Sequence, residues 1–260
     1  MTRVLVTNDD GIAAPGLRAL ARAAVAAGLD AVVAAPLREA SGMSAAMTAT
    51  ESDGRVVLEA RELAGLAGTP AYGVAGSPGF IALIASRGAF GPAPDLVLSG
   101  INRGANTGRA VLHSGTVGAA LTAVANGCLG MAVSLDVGLK PGPELHWQTA
   151  AAVAGRLLPQ VVSTDVVLNV NVPNRPLTTL AGIRRAKFAK FGVVQITVRE
   201  QDKGYVKMSL EEHQVDPEPD TDEALLLEGF VTVSPVRPPA IAADFELGEL
   251  PDLVAYQTGG

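Results

Sequence analysis

Apolar positions in this chain fall into short continuous runs that alternate with segments of helical spacing. Val4-Leu5-Val6-Thr7 is a β-branched run of the kind that forms a strand buried on both faces. Pro15 follows a turn, where its missing N–H costs nothing in a first helical turn. Leu17, Leu20, Ala21, Ala24 and Val25 then recur at helical spacing up to Gly28, a plausible stop. Ala31-Val32-Val33-Ala34-Ala35 predicts a second buried strand. A strand, a helix and a strand within about 35 residues make a βαβ unit, which requires a parallel sheet with right-handed crossovers.

The same alternation continues. Asp95–Ser99, Met131–Leu135 and Val166–Val172 (closed by Pro173) predict strands, and Val117–Ala125 and His146–Leu158 predict helices. After residue 176 charges, Gly and Pro mix with short alternating runs such as Val193–Val198, which predict hairpins and extended arms. Asp216-Pro217-Glu218-Pro219-Asp220 reads as an exposed loop, and no internal repeat stands out.

Composition narrows the class. Of 260 residues, 48% are hydrophobic and 18% charged, a globular balance, and with 4% aromatics the core must be built from Ala, Val and Leu. The net charge of −6 and the absence of a Lys/Arg block argue against long nucleic acids as partners. The single cysteine, Cys128, rules out an intramolecular disulfide and is expected in the core. The apolar stretch before Asp9 is too short for a signal peptide. The uncharged stretch between Arg109 and Asp136 is broken by Ser114, Gly115, Thr116, Asn126 and Gly127, so it predicts a helix, a turn and a strand rather than a membrane span. These features together lead to the expectation of a cytoplasmic enzyme with no membrane attachment.

Candidate chemistry gathers in three loops. Asn8-Asp9-Asp10-Gly11 closes the first strand, at the end where open α/β sheets bind ligands. Adjacent carboxylates point apart in an extended chain, so a shared ion requires the sharp turn that Gly11 permits. A divalent cation would relieve their repulsion, although a turn of Asn and Asp capping the next helix explains the same residues. Ser99–Gly108, dense in Gly and Asn, offers backbone N–H groups and neutral oxygens. Ser114-Gly115-Thr116 opens a helix, whose free N–H groups suit a phosphate, or else Ser114 is an ordinary N-cap. Neither a P-loop nor a G-x-G-x-x-G fingerprint is present. The hard oxygen donors favour Mg²⁺, Mn²⁺ or Ca²⁺ over zinc. His146 and His213 read as structural or exposed; His113, beside the phosphate loop, suits a packing role as well as proton transfer.

At these motifs the chain resembles the SurE survival-protein family of metal-dependent 5′/3′-nucleotidases. Val4–Ile12 with Pro15-Gly16-Leu17 is similar to the family's opening signature, and Pro94 through Ser99–Asn106 to Ser114-Gly115-Thr116 to its second. Leu168–Pro173 and Gly229–Pro235 resemble two later landmarks. The resemblance implies one α/β domain over residues 1–260: a Rossmann-like three-layer core with a mostly parallel sheet over about 1–175, and a C-terminal hairpin and extended-arm region over about 176–260 that builds homodimers or homotetramers. It implies one divalent cation per subunit held by Asp9, Asp10, Ser41 and Asn102. Phosphate would be bound by Asn102, Asn106, Ser114, Gly115 and Thr116, and catalysis would rest on Asp9, Asp10 and Asn106. The implied reaction is hydrolysis of nucleoside monophosphates by water that the cation activates. Leu37, Ala40, Ala46 and Thr122 depart from the family pattern without removing an implied ligand. Two rival readings use the same residues: Asp9 or Asp10 as a covalent phosphate acceptor, and a nucleotide-binding or scaffold protein without catalysis.

Overall fold

The computed structural model describes residues 1–52, 54–138, 142–190, 194–202, 205–212 and 217–240. Its first three elements are the predicted unit: β1 (Arg3–Thr7), α1 (Pro15–Ala26) and β2 (Asp30–Pro36). Val4 and Val6 join one apolar cluster and Leu5 the other, which is why β1 reads as an unbroken apolar run. There follow β3 (Glu51–Ser52), β4 (Arg55–Val56), β5 (Leu58–Ala60), β6 (Ala71–Val74), α2 (Pro78–Ser86), β7 (Leu96–Arg103), α3 (Gly115–Ala125), β8 (Leu129–Asp136), α4 (Trp147–Leu157) and β9 (Val167–Pro173). The later part holds β10 (Gly182–Arg185), β11 (Val194–Asp202), β12 (Tyr205–Glu212), α5 (Asp222–Leu227) and β13 (Phe230–Val236).

Nine strands form one sheet in the order β10-β13-β9-β8-β7-β1-β2-β6-β5. From β9 to β6 every neighbouring pair is parallel. β5 and β13 pair antiparallel at the two flanks. α1 and α4 cover one face of the sheet, with Leu17, Leu20 and Val153 in the cluster beneath them. α2 and α3 cover the other, over Leu5, Val32, Ile81 and Ala123. This is the expected α/β three-layer arrangement. The chain leaves β1 toward β2 and β6 on one side and toward β7, β8 and β9 on the other. The strand order therefore reverses between β1 and β7, and a crevice opens there beyond their carboxyl ends.

Two elements of the sheet's first half escape sequence patterning. β6 is only four residues long, and α2 (Pro-Gly-Phe-Ile-Ala-Leu-Ile-Ala-Ser) has no polar face to betray its period. Its start is nevertheless marked locally, since Ser77 Oγ caps the Phe80 N–H and Pro78 occupies the first turn. Past residue 176, β11 and β12 make an antiparallel hairpin, as the alternating run predicts. β10 and β13, in contrast, continue the main sheet beyond β9, and α5 lies between the hairpin and β13. Glu218, Pro219 and Asp220 are exposed, in keeping with the predicted loop; Asp216 and His213 lie outside the described residues. Cys128 is buried in the α2–α3 layer. Among the described residues no helix is long and apolar enough to cross a membrane.

Candidate active site

The crevice between β1 and β7 collects residues from four loops. After Thr7 the chain turns back on itself: Asn8 Oδ1 accepts the Gly11 N–H and Asn8 Nδ2 donates to the Gly11 carbonyl, both at 3.2 Å. Gly11 has φ +97°, and a Cβ there would lie 3.3 Å from the Pro36 carbonyl oxygen, so the turn needs glycine. The turn sends the two carboxylates to different partners. Asp9, 4% exposed, accepts the Thr116 hydroxyl at 2.5 Å on Oδ1 and the Thr116 N–H at 3.2 Å on Oδ2. Asp10, partly buried, accepts the Arg103 N–H at 3.2 Å on Oδ2.

Both carboxyls bind protons more tightly than usual. Burial raises the pKa of Asp9; the Thr116 hydrogen bonds oppose that rise. Asp10 is pushed up to about 6, first by burial and then by the Asp9 charge, against the pull of the Arg103 N–H. Glu39 adds to both shifts. It is a third carboxylate that motif reading overlooked, and its loop is tied to the site by the Ala40 N–H, which donates to the Asp9 carbonyl at 2.7 Å.

Ser41 stands on that same loop, exposed, with Oγ donating to Glu39 Oε1 at 2.9 Å. Asn102, at the end of β7, donates from Nδ2 to the Gly104 carbonyl at 2.8 Å, and its Oδ1 has no hydrogen-bond partner among the described residues. Two carboxylates with raised proton affinity, a hydroxyl and an amide oxygen are a donor set of hard oxygens suited to Mg²⁺, Mn²⁺ or Ca²⁺. Among the described residues there is no group of three or more His, Cys, Asp or Glu side chains arranged to hold a metal ion, so any site here draws on the neutral oxygens as well.

Opposite the carboxylates lies the N-terminus of α3. Ser114 caps it, Oγ accepting the Val117 N–H at 3.1 Å, so the ordinary N-cap is what the structure shows for this side chain. Both donors of Thr116 go to Asp9. Among the described residues the Gly115 N–H meets no acceptor, and it is the free donor of this turn. Gly115 also packs hard against Asp9: a Cβ would fall 2.7 Å from Oδ2. Asn106 is held at both ends of its own peptide by Asn169 and Asn171, and its Nδ2 donates to Ser134 Oγ at 2.8 Å. His113 is exposed at the end of the 3-10 helix Gly108–His113, and His146 lies at the start of α4 beside Glu144, 3.9 Å away. Beside the loop that carries Ser41 opens a cavity of about 500 Å³, lined by Leu37, Arg38, Met43, Thr48 and Ser77 among others.

The hydrogen bonds thus tie Asp9 to Thr116 beside Gly115, Asp10 to the amide that follows Asn102, and the Glu39–Ser41 loop to Asp9, while Asn106 is tied to β8 and β9. Motif reading missed Glu39, the Arg103 amide and Asp222. Asp222, fully buried on α5, accepts the Gly108 and Ala189 N–H groups at 2.8 Å each and so anchors the end of the Asn-rich loop. No local signal points to that pairing. Ser134, Asn169 and Asn171 did carry one, as buried polar positions in otherwise apolar strands.

The family described as survival protein SurE matches residues 4–195. A 5′/3′-nucleotidase SurE of Photorhabdus laumondii is 36% identical over 246 residues, covering 91% of this chain and 90% of the relative. The protein of the same name from Yersinia pestis is 35% identical over the same shares. Among solved structures, the SurE protein of Aquifex aeolicus superposes with a TM-score of 0.76 at 28% identity, over 94% of this chain and 96% of that one.

Proposed function

The chain belongs to the SurE family, and from that premise we propose that it is a metal-dependent phosphatase that hydrolyses nucleoside 5′-monophosphates, and 3′-monophosphates as well. The observation that carries the reading is the packing of two buried or half-buried carboxylates of raised proton affinity beside a helix N-terminus whose Gly115 N–H meets no acceptor among the described residues. Carboxylates in that state favour a cation, and the free Gly115 N–H favours the anion that the cation brings with it.

Asp9, Asp10, Ser41 and Asn102 would hold the cation. When bound, it polarises a phosphoryl oxygen and increases the acidity of water. Thr116 keeps the Asp9 carboxylate from rotating, and the Arg103 N–H fixes Asp10 by Oδ2, so Oδ1 of Asp10 is left for ligation. Gly115 N–H, with the positive end of α3 behind it, meets negative charge on the phosphoryl oxygens. Asn106 spends one amide hydrogen on Ser134 and offers the second to the same group. Water adds to phosphorus, the ester P–O bond breaks, and the nucleoside leaves with its oxygen protonated. The cavity beside Leu37 and Met43 has the volume to take the nucleoside.

Phosphate release from a panel of nucleoside 5′- and 3′-monophosphates, with Mg²⁺, Mn²⁺ or EDTA, tests the reading on wild type and Asp10→Ala. Metal-dependent release that Asp10→Ala abolishes is the expected result. A folded wild type that releases no phosphate from any nucleotide with any metal overturns it.

A further inference from the structure

Strand β9 carries two asparagines among valines, Asn169 and Asn171, both fully buried on the face that α3 covers. Ser134 of β8 lies in register with Asn171 and is equally buried. All three side chains converge on one loop residue. Asn171 Oδ1 accepts the Asn106 N–H at 2.7 Å while its Nδ2 donates to the Asn106 carbonyl at 3.0 Å. Asn169 Nδ2 donates to the same carbonyl at 2.9 Å. Ser134 Oγ receives the Asn106 side chain at 2.8 Å. Asn171 therefore pairs with the Asn106 peptide as a neighbouring strand would, in a loop where no strand lies alongside.

Stability is a poor explanation for this arrangement. Buried hydrogen-bonded polar groups gain little over apolar ones of the same shape, and Asn169 Oδ1 is buried with no partner among the described residues. Features that break the local apolar pattern at net cost collect at functional sites. Resting on the reading of Asn106 as a phosphate-binding residue, we infer that Asn171, supported by Asn169 and Ser134, is a positioning residue that fixes the Asn106 carboxamide against the phosphoryl group. The role demands a carboxamide. Aspartate has the same shape and keeps the acceptor, but when ionised it lacks the donor and sets a negative charge against the Asn106 carbonyl.

The test compares wild type, Asn171→Asp, Asn106→Ala and the double variant by steady-state hydrolysis, with amide hydrogen exchange read at Asn106. Asn171→Asp is expected to lower kcat about 100-fold, with KM changed by no more than about 3-fold. In the Asn106→Ala background the same change is expected to add less than about 2-fold, because its effect passes through the missing side chain. The Asn106 amide is expected to exchange faster in Asn171→Asp. Asn169→Ala, which removes one of two donors to the carbonyl together with the unpartnered oxygen, serves if Asn171→Asp does not fold, with an expected loss of about 10-fold in kcat. Unchanged kcat in the folded single variants, or equal losses with and without the Asn106 side chain, overturns the inference. An inactive wild type would instead strike the nucleotidase reading, and unaltered exchange at Asn106 would still strike the clamp.

Discussion

Two side-chain clusters, an acidic wall after β1 and a neutral wall on β8 and β9, are built on opposite principles. On one side stand Asp9 and Asp10, whose proton affinities are raised by burial and, for Asp10, by the neighbouring Asp9 charge, with the Glu39 carboxylate adding to both shifts. On the other stand Asn106, Asn169, Asn171 and Ser134, neutral groups that already satisfy one another through four hydrogen bonds. The acidic wall carries carboxylates whose ionised form burial penalises, so a positive ligand would be favoured there. The neutral wall meets nearly all of its own hydrogen-bonding needs, Asn169 Oδ1 excepted, and holds its geometry in advance. The proposed reaction, in which a cation and a phosphoryl group would be brought together, calls for both kinds of surface, one that gains from binding and one that does not move.

The comparison can be broken most forcefully at Asp9. Asp9→Ala removes a carboxylate and leaves both Thr116 donors without their partner, so turnover is expected to fall by more than about 1,000-fold. A loss below about 10-fold would show that the acidic wall is not where the chemistry happens. Gly115→Ala probes the contact between the acidic wall and the start of α3, since its Cβ would fall 2.7 Å from Asp9 Oδ2. About 100-fold lower kcat is expected from the displaced carboxylate. Its thermal unfolding midpoint serves as the control, and a drop in kcat that merely tracks unfolding would discredit the contact.

Asp222→Ala tests the anchor of the neutral side. It removes the acceptor of the Gly108 and Ala189 N–H groups, and urea denaturation is expected to show about 2–3 kcal/mol of lost stability. An undiminished midpoint would mean that water or rearrangement replaces the carboxylate at no cost.

The smallest effect has the opposite sign. Folded Asp10 titrates near 6 against an ordinary 3.8, so between those values the folded chain binds more protons than the unfolded one. Stability therefore falls as pH rises through that window, and the penalty is fully present above it. With EDTA at pH 7, Asp10→Asn is expected to be more stable than wild type by about 1 kcal/mol, a figure reduced for the partial exposure of the group. The gain should vanish by pH 4; a gain independent of pH would assign it to some cause other than the carboxylate charge.

What could be read from the chain depended on how local each cause is. β1, α1 and β2 were legible because strand burial, helical spacing and Pro15 act within a few residues. The same holds for the Asn8–Gly11 turn and the Ser114 cap, whose hydrogen bonds span three residues. α2 and β6 were not, because an all-apolar helix and a four-residue strand carry no period to detect. Nor did the charged, Gly- and Pro-rich pattern past residue 176 reveal that β10 and β13 extend the main sheet, since strand partners are not encoded in the strand that seeks them.

The sequence by itself determined the donor types available to the site, the turn that separates Asp9 from Asp10, and the helix start at Ser114. Only the tertiary structure decided how those donors are spent. It assigned Thr116 to Asp9 across 107 positions, the Arg103 amide to Asp10 across 93, Asp222 to Gly108 across 114 and Asn171 to Asn106 across 65. Each pairing depends on which strands and helices become neighbours, and that order follows from burying both faces of one sheet rather than from any residue's preference for its partner.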